Sequence, residues 1–344
     1  MSTPNSRAAA YLEKYQQAYA AITGLLQRVP QERIADFYDD LLKDKDFLDQ
    51  ILKKEGVDAT EFRARFIQPY LSETDYLTRV AADLLTFNNL QHIAVPAGVL
   101  PTMDFNASLV KSDEGERIVV LNSGIVAYMS QVINSFLATF STPISKPIWR
   151  TEEAQINIIQ WTIAVNTGKA SLGLNKVPSF RNASLIGASG NLGDTARVFI
   201  LGHEYAHLLL NHTSENATKI KNIVPGVPGF SIEYYIKKQE QEYEADQKGV
   251  ALCIEWCKAT HNGAYQVVFL AVILTYHLLR LQEVLTPVEN DELTHPESIL
   301  RRRQFEKNYG YMFDEQIKFE IRALDHFMEG IYRHADAVKK LLKD

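Results

Sequence analysis

The chain runs to 344 residues, 46% of them hydrophobic and 23% charged, with a formal net charge of -6. That length buries a substantial core without staples, so a metal here is expected to serve chemistry rather than folding. The acidic balance argues against a nucleic-acid partner, Arg301-Arg302-Arg303 being the most basic run. Two cysteines, Cys253 and Cys257, make no disulfide framework and fit a reducing, cytoplasmic setting.

The start, MSTPNSRAAAYLEKYQQAY, lacks the apolar core of a signal peptide. Residues 1–88 read as an N-terminal helical region. Tyr11, Tyr15, Ala18, Ile22, Leu25 and Leu26 form one apolar stripe, and Phe37, Leu41, Leu42, Phe47, Leu48, Ile51 and Leu52 a second. From Gln91 the texture changes. Short strands are predicted at His92 to Val95, Phe105 to Val110 and Arg117 to Leu121, separated by Pro96, Pro101 and Asp113-Glu114-Gly115.

Asn122-Ser123-Gly124 opens an amphipathic helix running to about Phe140. Residues 141–193 read as an insertion: a proline-rich connector, a helix around Ile156 to Val165, and a polar, glycine-rich loop from Val177 to Gly193. Helices are then expected over Asp194–His212, Ser231–His261, Tyr265–Glu283, Pro296–Asn308 and Glu315–Leu342. Ala264 to Leu279 is the most apolar stretch, but it is short for a span and carries Gln266, Tyr276 and His277. A buried helix is expected there, not membrane insertion. The fold class is α+β and mostly helical, with a small β-sheet; residues 89–344 form one domain around an active-site helix.

That helix carries RVFILGHEYAHLLLNH, Arg197 to His212, in which His203 to His207 is an H-E-x-x-H pattern. Residues four apart on a helix point the same way, so both imidazoles can reach one ion. Glu204 lies ~100° around from His203, where it can take a proton from a water beside that ion. Two imidazoles and a carboxylate inside so apolar a helix need a reason to be there. One zinc ion per chain supplies it.

A catalytic zinc needs a third protein ligand and one open position. Candidates downstream are His212, Glu240, Glu242, Glu244, Asp246 and His261. On a wheel of ~100° per residue, Glu242 and Asp246 share an apolar sector with Val250, Cys253 and Cys257. Glu240 and Glu244 fall on the polar side. Glu242 as ligand, with Asp246 hydrogen-bonding a ligand histidine from behind, explains two carboxylates on an apolar face. His212, five residues past His207, is ~140° off the ligand face and is assigned packing or hydrogen bonding.

The chain resembles the gluzincin metallopeptidases, most closely the HtpX-like and CAAX prenyl endopeptidase group. The matching pieces are HEYAHLLLNH, the Glu-Tyr-Glu-Ala-Asp run at Glu242, FNASLVKSDEGERIVVLNSGI from Phe105 to Ile125, and THPESILRR from Thr294 to Arg302. The resemblance implies a zincin-like domain, a peptide or protein substrate, Glu242 as third ligand, and His295 and Arg301 as catalytic residues. The strand Arg117 to Leu121 could then hold an extended peptide along its edge. The transmembrane helices of better-known members have no counterpart, so substrates tied to those membranes do not carry over.

Other readings remain open beside it. EQEYEAD is also similar to the ImmA/IrrE-like peptidases that cleave repressors. A zinc-containing binding or regulatory protein without turnover is a second alternative. A helical interaction protein with a chance motif is a third, and it requires Glu242 to stand far from the histidines.

Overall fold

The computed structural model describes residues 68–93, 95–100, 106–111, 115–140, 183–213, 218–222, 231–235, 238–261, 264–285 and 297–341, with isolated positions 10, 12, 13, 16, 155, 158 and 159. The apolar stripes of Tyr11 to Leu52, the helix expected around Ile156 and His295 lie wholly or mostly outside these residues.

In chain order the elements are α1 (Gln68–Phe87), β1 (Ala97–Leu100), β2 (Ala107–Lys111), β3 (Arg117–Asn122), α2 (Ser123–Phe140) and α3 (Ala183–Leu209). Then come β4 (Thr218–Asn222), β5 (Ser231–Tyr235), α4 (Gln239–Thr260), α5 (Gln266–Leu285), α6 (Ser298–Tyr309) and α7 (Glu315–Leu341). The fold is α+β and mostly helical.

The strands form one mixed sheet in the order β1-β3-β2-β5-β4. β1 runs parallel to β3, and the other pairs are antiparallel. A turn at Gly115, whose φ of 82° suits a residue without Cβ, precedes β3. Residues 118 to 122 of β3 are buried without alternation, as expected of a strand covered on both faces. β3 is hydrogen-bonded on both sides, so Arg117 to Leu121 cannot offer a free edge to a peptide. The sheet edges are β1 and β4.

Three other expectations are revised. His92 to Val95 holds a single 3-10 turn at Gln91–Ile93, and the strand begins at Ala97. The helix expected over Ser231–His261 divides into β5 and α4. The loop expected up to Gly193 is helical from Ala183, so Asp194 lies inside α3 rather than at its start. Glycine lowers intrinsic helicity, but tertiary docking overrides it here. Leu192 is buried, Gly193 faces Ile133 of α2, and Ser189 Oγ donates to Asn134 Oδ1 at 2.6 Å.

α3 and α5 form the centre of the helical layer, α3 packing on α2, α4 and α5, and α5 on α7. α1 packs on β1, α3 and α4 and joins the same continuous core. α5 is long and apolar enough to cross a membrane by length and composition, and 67% of its most apolar window is buried inside the protein.

α6 is clamped to α5 and α7 by a polar cluster. Arg302 donates to both oxygens of Asp325, Nη1 at 2.6 Å and Nη2 at 2.9 Å. His277 Nε2 lies 2.8 Å from Asp325 Oδ1, and its Nδ1 lies 2.8 Å from the Tyr332 hydroxyl. Burial raises Asp325, but hydrogen bonds from His277 and Arg302 outweigh it and pull the carboxyl down to about 2. A folded pKa below the unfolded value of ~3.9 gives stability that is full above ~4 and lost as pH falls towards 2, at most ~2–3 kcal/mol. The stability advantage of wild type over Asp325→Asn is therefore expected to shrink between pH ~4 and 2 in denaturant titrations. A constant difference across that window would contradict the assignment.

Candidate metal centre

The site begins with two glycines. A Cβ on Gly249 of α4 would stand 2.8 Å from the His203 backbone nitrogen, and one on Gly202 of α3 would stand 3.1 Å from the Gly249 carbonyl oxygen. Only bare backbone lets these helices approach so closely. The contact sits beside His203 and one turn past Asp246, so it sets the distance between the histidines of α3 and the carboxylates of α4.

Across that contact the ligand atoms meet. His203 Nε2 lies 3.2 Å from His207 Nε2. Glu242 reaches both, Oε2 at 3.3 Å from His203 Nε2 and Oε1 at 3.4 Å from His207 Nε2. Bonds of ~2.0–2.1 Å in a tetrahedral site place neighbouring donors ~3.3–3.4 Å apart, so this spacing suits one ion. His207 and Glu242 are fully buried, Glu204 is 3% exposed and His203 8%. Such a concentration of lone pairs and negative charge in a core is stable only against a cation or protons.

Glu204 also belongs to the site, with Oε1 4.0 Å from His203 Nε2. Among the described residues, His203, His207 and Glu242 form the group that can hold a metal ion. No family model, curated protein or solved structure matches the chain. The metal centre therefore stands on its geometry.

Behind the triad, His203 Nδ1 donates to Asp246 Oδ1 at 2.9 Å. Asp246 also accepts from Arg301, Nε to Oδ2 at 2.7 Å and Nη2 to Oδ1. Arg301 Nη1 lies 3.4 Å from Glu242 Oε2. Burial raises Asp246, but Arg301 and His203 together hold its carboxyl below the usual range. For His203, burial favours the neutral ring, but Glu242 and Asp246 outweigh it and hold the metal-free group up to about 9.

Arg301 is 7% exposed and its guanidinium is spent on these two carboxylates. The sequence reading put it in the cleft as a group acting on substrate; the structure puts it behind the ligands. Its neighbour Arg302 fixes the turn of α6 that aims Arg301 at α4.

His212 takes the hydrogen-bonding role expected of it, in a second arm whose members the sequence did not connect. His207 Nδ1 lies 2.9 Å from His212 Nδ1, and His212 Nε2 lies 3.0 Å from Glu244 Oε2. On a straight helix His212 would point away from His207. Asn211 has φ 57°, His212 N–H donates to His207 O at 2.9 Å, and Asn211 N–H donates to Leu208 O at 3.1 Å. This left-handed cap folds the chain back and returns the His212 ring to His207. The signal in the sequence was Asn211 itself, an asparagine directly after an apolar helical run.

Cys253 and Cys257 are buried free thiols, and Cys253 Sγ donates to the Thr195 carbonyl at 3.6 Å. The Tyr205 hydroxyl donates to Val95 O at 2.6 Å, tying α3 to the segment before β1.

Proposed function

We propose that this chain is a zinc-dependent endopeptidase of the gluzincin type, similar to the HtpX-like group in its site motifs. The observation that carries the reading is the convergence of His203, His207 and Glu242 on one point with Glu204 beside them. Two imidazoles and one carboxylate are a donor set that zinc favours and that leaves a position open. When bound, zinc supplies Lewis acidity that brings a water within reach of deprotonation near neutral pH.

The chain's own residues supply the rest. Glu204 takes the proton from the attacking water and delivers it to the leaving amine, the general-base and then general-acid role. Asp246 holds the His203 ring by its Nδ1–H and leaves Nε2 for the metal. Arg301 holds Asp246 and offsets the charge of Glu242. A protein or peptide is the substrate class this chemistry serves.

Burial of the site favours one second reading, a protein that keeps its metal without turnover. Retention of a base at Glu204 weighs against it, because a structural site needs none.

Elemental mass spectrometry of the purified chain tests the metal. About one zinc per chain is expected from a three-ligand site, with clear loss in Glu242→Ala. Folded wild-type protein that takes up no zinc would overturn the reading.

A further inference from the structure

The two ligand histidines are supported differently. Behind His203 stands a buried acid and a buried arginine. Behind His207 stands a second imidazole, His212, and then a carboxylate whose side chain is 64% exposed. This second arm runs from the metal centre to the surface.

Its hydrogen bonds determine where the protons sit. A carboxylate oxygen of Glu244 only accepts, so His212 Nε2 must donate. With that proton on Nε2, the lone pair of His212 Nδ1 faces His207, and the proton between the rings is assigned to His207 Nδ1. That leaves His207 Nε2 bare, and this is the atom directed at His203 Nε2 and Glu242 Oε1. The reverse order would put the His207 proton on Nε2, where it blocks a metal. The left-handed turn at Asn211 supplies the backbone for this arrangement.

We propose that His212 and Glu244 are positioning residues. They hold His207 in the tautomer that can bind the metal, and they set the strength of metal binding from a surface carboxylate. The proposal rests on the metal-centre reading above and adds the residues that regulate the same site. It gives Glu244, which periodicity assigns to the solvated face of α4, a role that its neighbour Glu240 lacks.

The test uses the full chain and zinc alone as the probe. Imidazole nitrogen NMR of metal-free wild type is expected to show His207 protonated on Nδ1. Zinc affinity, read by competition with a chelator, is expected to fall ~10–100-fold in His212→Leu and in Glu244→Ala. His212→Asn, whose side-chain carbonyl can accept from His207 Nδ1, is expected to recover most of that loss. Glu240→Ala is the control and should bind as wild type. A His207 proton on Nε2 in wild type, or His212→Asn binding no better than His212→Leu, overturns the proposal. If wild type binds no zinc, the metal-centre reading fails, and the tautomer measurement still decides the proton arrangement by itself.

Discussion

Replacing Glu204 by glutamine is expected to leave zinc bound and to lower peptide hydrolysis by ~10²–10⁴-fold. The side chain keeps its shape and its place 3% exposed beside His203, so the ligand cage should not change. What is lost is an oxygen able to take a proton at neutral pH. Glutamine only exchanges hydrogen bonds, so the attacking water keeps both protons and the leaving amine receives none. The measurement is turnover of an unfolded protein substrate, with zinc content determined on the same preparations. Equal turnover in wild type and variant would remove Glu204 from the mechanism. Loss of zinc together with turnover would show instead that Glu204 supports the cage.

Substituting Arg301 by leucine is expected to destabilise the protein by ~3–5 kcal/mol, the range for removing one partner of a buried ionic network. The guanidinium faces Asp246 through two hydrogen bonds and Glu242 through an ion pair. Without it, two carboxylates remain in the core with His203 as their main offset. Arg301→Lys keeps the charge but not the planar fork, and should fall between leucine and wild type. Chemical unfolding of the metal-free variants reads the effect. Unchanged stability and zinc content with reduced turnover would return Arg301 to the cleft and to the role its place after Thr-His-Pro had suggested.

The parts of the site written in local spacing were legible. His203 and His207 are four apart, and Glu242 and Asp246 share a helical face with Val250 and Cys253, so periodicity placed each pair on one face of its helix. Features decided by distant contacts were not legible. β5 pairs with β4 and with β2, and nothing local in Ser231–Tyr235 reveals a partner more than a hundred residues away. Arg301 looked like a free cation because its partner lies 55 residues back, and α6 is turned towards it by Arg302 and Asp325. The partners of His212 were not legible because a wheel assumes a straight helix, whereas the chain turns left-handed at Asn211. The first turns of α3 were read as loop because glycine propensity counts against a helix that packing on α2 sustains.

The bare meeting of Gly202 and Gly249 also orders events in time. Before it forms, a chain emerging from the ribosome owns only a two-histidine grip on α3, and its acidic ligand lies beyond the β4–β5 hairpin. A metal taken up by all three residues would therefore wait until α4 has been synthesised and docked. Each bound ion then favours the docked state by mass action. Metal uptake during refolding should accordingly track the slow arrival of tertiary structure rather than the fast appearance of helix. A metal held at this site would make its supply a check on whether the two halves of this core have come together.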